Sequence, residues 1–251
     1  QYGILPAETA YRAIHQPQDA RELEEARRRL VFEEFFVFSA GLSLMRARRT
    51  VQQVEAYKNL ELEPVCAALP FALTGAQRRA MEEIAGDLRR GVPMNRLLQG
   101  DVGSGKTVVA AAAAYWAARN GAQTALMAPT EILAEQHYRT LRALLEPLGV
   151  RCALLTGSLP AGEKRRVRLA LAGGQVELAI GTHALLSETT EFLRLGMVIT
   201  DEQHRFGVAQ RAALSEKGQG AHLLVMSATP IPRTLALILY GDLDVLSLIH
   251  I

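Results

Sequence analysis

"LLQGDVGSGKTVVA", residues 97–110, is the stretch on which the fold turns. A short apolar run at 95–99 precedes the glycines, and an Ala-rich stretch at 107–119 follows with no breaker. Gly100 to Thr107 fits the pattern G-x-x-x-x-G-K-[ST]. Small residues across Gly100, Asp101, Val102, Gly103, Ser104 and Gly105 let successive backbone N–H groups converge on an anion. The helix that follows adds the positive end of its dipole. Lys106 can reach the β- and γ-phosphates as a point charge, and Thr107 offers a hydroxyl to Mg²⁺. An ordinary Gly-rich turn matches such a short pattern by chance. A strand before it and a helix after it are the context that a nucleotide phosphate loop requires.

Working outward, short apolar runs recur at 123–128, 151–155, 177–180, 195–200 and 221–226, with helical stretches at 75–90, 130–145, 160–172 and 231–240. Strand alternating with helix predicts an α/β domain whose mostly parallel sheet lies between helices. Residues 1–68 differ. Their charges and helical spacing over 19–58 predict one long helix or a broken pair, with Asp19 as N-cap and Gly41 as the weak point. Residues 61–74 read as a Pro-punctuated connector. Two domains are therefore expected: a helical linker segment over 1–68, and a nucleotide-binding domain over 69–251.

Composition narrows the classes. The 251 residues are 49% hydrophobic, enough for a sizeable core, and the net charge of +2 makes any basic surface a local one. Cys66 and Cys152 form no metal or redox pattern, no signal peptide is evident, and no apolar run is long enough for a membrane span. A cytoplasmic protein is expected. The chain begins at Gln1 and stops at "LSLIHI", and both ends read as cuts in a longer protein.

In a parallel sheet, ligands gather where strands end. After "LGMVIT" comes "DEQH", 201–204. Asp201 can hold Mg²⁺, directly or through water, and Glu202 can take a proton from the attacking water. After "HLLVM" comes "SATPIPRT", 227–234, where Ser227 and Thr229 place hydroxyls at another strand end. "APTEILAEQH" puts Thr130 at an N-cap position with Glu131 in the first turn. "LTGS" (Thr156, Gly157) and "GTHALL" (Thr182, His183) close two more strands. Capping alone explains each one. Three in one sheet point to a track that holds nucleic-acid phosphates without reading sequence.

These motifs, "GDVGSGKT", "PTEILA", "TGS", "GTHAL", "DEQHRFGVAQR" and "SATPIPRT", stand in the order of helicase motifs I, Ia, Ib, Ic, II and III. Together they resemble the RecG family of bacterial ATP-dependent DNA helicases, in superfamily 2. The likeness spans 69–243. "LPFALTGAQ" (69–77) looks like the family's adenine-side motif, which implies that Gln77 hydrogen-bonds adenine and that Phe71 packs nearby. The resemblance implies a RecA-like motor domain, with ATP and Mg²⁺ as cofactors and branched double-stranded DNA, such as stalled forks and Holliday junctions, as partner. It further implies work in recombination and repair, a monomer, and roles for His204, Ser227 and Thr229 in coupling hydrolysis to motion. The leading segment resembles the stretch between the family's wedge domain and its motor. The wedge and the second motor domain, with its arginine finger, are missing, so residues 1–251 alone are expected to bind ATP but turn over little or not at all. At 246–251 the sequence departs from the family pattern.

Two other readings compete. The motor of a transcription–repair coupling translocase shares "SATPIPRT", but tends to carry "DEEQRFGV" where this chain has "DEQHRFGV". A nucleotide- and DNA-binding module without turnover could describe the truncated chain. A small-molecule P-loop kinase would leave "PTEILA", "GTHAL" and "SATP" unexplained. The basic run "EKRRVR" (163–168) reads as a solvated helix face. His15, His137, His222 and His250 have no ligand-like partners in the sequence, and Trp116, Met197 and Met226 read as core.

Overall fold

A computed structural model describes residues 3–49, 53–201, 220–228 and 244–248. The chain forms two compact units, Gln1–Arg49 and Thr50–Ile251. In the first, α1 (Ala7–His15) and α2 (Ala20–Arg49) meet through small side chains: Ala10, Ala13 and Ala26 are buried together, with Leu5, Ile14 and Leu30 packed around them. Asp19 caps α2 as expected, its carboxylate accepting from Glu22 N at 2.7 Å. The helix runs through Gly41 without a break and ends at Arg49, short of the expected 58. A single glycine costs a helix only about 1 kcal/mol.

The second unit is built on seven strands: β1 (Asn95–Gln99), β2 (Gln123–Met127), β3 (Cys152–Leu155), β4 (Leu178–Gly181), β5 (Leu195–Asp201), β6 (His222–Ser227) and β7 (Asp244–Ser247). Their order is β3-β4-β2-β5-β6-β1-β7, and every pairing among the described residues is parallel. The helices are α3 (Glu63–Ala68), α4 (Gly75–Leu88), α5 (Lys106–Arg119), α6 (Glu131–Leu145) and α7 (Ala161–Ala172). Side-chain alternation divides the strands between two cores. Leu98, Leu126, Ile180, Met197, Ile199, Leu224 and Met226 face the layer of α3 to α6. Met127, Leu155, Ala179 and Val198 face the side where Leu171 of α7 is buried. The middle of α5, Val109 to Ala117, is buried all round, as an Ala-rich helix without a polar face must be.

Two features fall outside the expected set in this unit. Pro64 stands in the first turn of α3, where a missing N–H costs nothing, so the connector at 61–74 contains a helix rather than only a loop. Residues 53–68, expected to belong with the linker, pack here: Tyr57, Leu60 and Val65 join the main core, and Trp116 Nε1 donates to Glu61 O at 2.9 Å. β7 is the second. It pairs with β1, and Leu246 and Leu248 are buried, so the start of the departing segment 246–251 forms the sheet edge. The expected helix at 231–240 lies outside the described residues.

Candidate functional site

The carboxyl edge of the sheet carries two groups of residues. On one half, β5, β6 and β1 end level: Asp201 pairs with Met226, Met226 with Leu98, and Ser227 with Gln99. The phosphate loop leaves β1 and enters α5. Gly103 and Gly105 sit at φ +85° and +88°, which side-chain-bearing L residues rarely adopt. Gly105 is the N-cap of α5 and carries no side chain of its own to cap the helix, which suits a site for an anion. Lys106 Nζ donates to Gly100 O at 2.6 Å and Asp101 O at 2.9 Å, so the ammonium lies along the loop. Gly100 N–H donates to Ser227 O at 3.2 Å, and Leu248 N–H to Gln99 O at 2.7 Å. The loop is thus braced by the strand of the "SAT" motif on one side and by β7 on the other.

Gln77 also reaches this loop. Thr74 and Gln77 form a capping box at α4: Gln77 N donates to Thr74 Oγ1, and Thr74 N to Gln77 Oε1. The other end of the same carboxamide, Nε2, donates to Ser104 O at 2.8 Å. Gln77 is therefore buried and engaged at both ends, a brace between α4 and the phosphate loop. Phe71, just upstream, is about half exposed.

Asp201 closes β5 on the face that carries Met197 and Ile199, the α5 and α6 side. Its Oδ2 lies 2.7 Å from His137 Nε2, and both side chains are nearly buried. His137 has no evident partner along the sequence; the structure supplies one from 64 residues away, across the packing of α6 on the sheet. The donor set fits Mg²⁺. Asp201 and Thr107 offer hard oxygens, and no cluster of three or more His, Cys, Asp or Glu capable of holding a metal exists among the described residues. Mg²⁺ takes such hard oxygens and is held largely by phosphate and water with one or two carboxylates. Glu202, His204 and Thr229 lie outside the described residues.

The other half of the edge is β3-β4-β2, adjacent strands whose ends carry Thr156 and Gly157, Thr182 and His183, and Thr130. Gly181 is where β4 squeezes between its neighbours: a Cβ there would stand 2.0 Å from Leu155 O. Thr130 caps α6, its side chain accepting from Leu133 N at 3.3 Å. Thr156 Oγ1 is 3.3 Å from Ser158 Oγ, and Thr182 is buried, its hydroxyl without a hydrogen-bond partner among the described residues. Glu131, in the first turn of α6, crosses to the "TGS" turn, where its Oε1 accepts from Ser158 N at 3.0 Å. Hydrogen bonds from the Ser158 side chain and from the Ser158 and Gly157 backbone, with His183 nearby, hold its carboxyl below the usual carboxylate range. Lys164 of the basic run donates to Gly157 O, while Arg165 and Arg166 are exposed.

Known proteins resemble this arrangement. The family model for DEAD/DEAH box helicases matches residues 74–238. ATP-dependent DNA helicase RecG of Synechocystis is 50% identical over 98% of this chain, which covers 30% of that relative. RecG of Streptococcus pneumoniae is likewise 50% identical over 98% of the chain, here covering 37% of the relative. A solved structure of RecG bound to a three-way DNA junction superposes with a TM-score of 0.84 at 45% identity, covering 98% of this chain and 33% of that one. The chain thus spans about a third of the length of the relatives it matches. The DNA-bound helicase MrfA, at 18% identity and a TM-score of 0.59, shares the fold. With its RecA-like parallel sheet, its phosphate loop and its acidic strand end, the chain belongs to the DEAD/DEAH box helicase family.

Proposed function

We propose that this chain is the ATP-binding half of the motor of an ATP-dependent DNA helicase that remodels branched DNA, such as stalled forks and Holliday junctions, in recombination and repair. The observation that carries the reading is the division of one sheet edge: a nucleotide site at β1, β6 and β5 beside a set of hydroxyls and backbone N–H groups at β3, β4 and β2. Residues 50–251 act as the motor domain and 1–49 lead into it. The loop from Gly100 to Thr107 cradles the triphosphate, and Lys106 leaves its loop carbonyls to neutralise the β- and γ-phosphates. Thr107 and Asp201 hold Mg²⁺, which supplies charge neutralisation on the phosphate oxygens. Glu202 orients the attacking water and takes its proton. Thr130, Thr156, Gly157, Thr182 and His183 line the DNA track, and His204, Ser227 and Thr229 link the two halves. Gln77 contacts adenine from its place against the loop, with Phe71 beside it.

Branched double-stranded DNA is the partner that the likeness to a junction-bound RecG favours. The protein acts as a monomer in the cytoplasm; among the described residues, no helix is long and apolar enough to cross a membrane. Steady-state ATPase assays of the whole protein test the reading. Forked DNA should stimulate hydrolysis well above blunt duplex, and low-salt filter binding should retain the fork. A protein that hydrolyses ATP without response to any DNA, and does not bind a fork at low salt, would overturn it.

A further inference from the structure

We propose that His137 is a positioning residue for the metal site, holding the Asp201 carboxylate in one orientation. The inference rests on Asp201 being the Mg²⁺ ligand proposed above. His137 Nε2 and Asp201 Oδ2 are 2.7 Å apart. The side chains are only 12% and 14% exposed, so water competes little for the contact. An ionised carboxylate only accepts hydrogen bonds, so with Asp201 ionised His137 Nε2 is the donor of this pair.

The carboxyl of an aspartate otherwise turns in a broad, roughly two-fold well. Pinning Oδ2 narrows that freedom and fixes the direction in which the carboxylate's remaining lone pairs would face an ion. Histidine suits the task because its ring is rigid and stands on a helix rather than a loop. α6 is itself fixed, capped at Thr130 and buried through Ala134, Leu141 and Leu145. His137 lies two turns in from that cap, on the helix whose first residue, Glu131, holds the "TGS" turn through Ser158 N. One rigid element therefore touches both halves of the sheet edge. Partners that orient a metal-binding side chain typically change metal affinity or activity about 10–100-fold when removed.

The test uses the full-length protein and reads binding rather than turnover. A fluorescent ADP analogue is titrated at fixed protein concentration while Mg²⁺ is varied, and the Mg²⁺ midpoint for tight nucleotide binding is recorded. His137→Ala should raise that midpoint about 10-fold or more. Affinity measured without Mg²⁺ should stay within about two-fold of the parent. His137→Gln, which keeps an N–H at similar reach, should recover most of the loss. Asp201→Asn is run alongside. A shifted midpoint in Asp201→Asn with an unchanged one in His137→Ala overturns the positioning role. So does a His137→Ala protein that loses nucleotide affinity equally with and without Mg²⁺, or melts earlier without a midpoint shift, because packing alone would explain either. An unchanged midpoint in Asp201→Asn overturns the ligand assignment itself, and the positioning role with it.

Discussion

Lys106 shows how much of a nucleotide site one residue carries. Its ammonium rests on two carbonyls of its own loop, at 2.6 and 2.9 Å. ATP must offer it more than those neutral acceptors do, and the doubly charged γ-phosphate does. A hydrogen bond to a charged group is worth about 1.5–3 kcal/mol. Lys106→Ala is therefore expected to weaken Mg²⁺–ATP binding by roughly 10- to 100-fold, while the loop keeps its shape through Gly103 and Gly105. Equilibrium titration with a fluorescent ATP analogue measures this, and an unchanged affinity would remove Lys106 from the site. The residue was legible because the pattern around it is dense with physical demand: glycine for positive φ, a lone cation, a hydroxyl, all within eight positions. His137 was not legible. Its spacing in α6 is that of any helical residue, and the partner that gives it meaning lies 64 positions away.

Among the elements, α4 and its cap connect stability to the site. The Thr74–Gln77 box fixes the start of the helix, and Gln77 then reaches Ser104 of the phosphate loop at 2.8 Å. Thr74→Ala removes the acceptor for Gln77 N and should cost about 1 kcal/mol of stability. It should also weaken nucleotide binding, since a frayed first turn loosens the Thr74 backbone N–H that anchors the Gln77 carboxamide. Urea unfolding and nucleotide titration of the same variant check the pair; a stability loss with parental affinity would show that the cap acts on the helix alone. The strands and the helices around them were readable to within a residue or two, because apolar runs of four to seven residues between amphipathic stretches have few other physical solutions. α3 escaped because Pro64 reads as a breaker anywhere except the first turn, where it stands. β7 escaped because its residues lie outside the alternation of apolar run and helical stretch, and only the register with β1 marks them as a strand. The bridge from Glu131 to Ser158 escaped because a first-turn glutamate already has a sufficient local reason to be there.

At the scale of the whole molecule, the two sides of the sheet edge depend on a core that is sensitive to acid. His222 opens β6, is 1% exposed, and accepts from Met94 N at its Nδ1, at 3.0 Å, with Tyr57 edge-on at 5.0 Å. Burial, opposed by the nearby Asp87 charge, pushes its pKa down to about 4, so it is neutral in the folded protein. The unfolded chain takes up a proton there near pH 6.5, and the folded chain does not. The stability this confers is complete above about pH 6.5 and is lost as pH falls through 4, a change of up to about 3 kcal/mol. Denaturation curves between pH 7 and pH 4 should show this loss. His222→Asn, which keeps an acceptor near Met94 N, should flatten the profile at some cost at neutral pH. A parental slope in that variant would assign the acid sensitivity elsewhere.

On the function proposed above, the edge formed by β1, β6 and β5 hydrolyses ATP for a motor on branched DNA, with Glu202 as base. Glu202→Gln keeps the shape and removes the proton acceptor. The measurement is ATP binding and fork-stimulated turnover in that one variant of the whole protein. Parental affinity for Mg²⁺–ATP and for forked DNA is expected, with turnover reduced about 10²- to 10⁴-fold. Hydrolysis at the parental rate would contradict it.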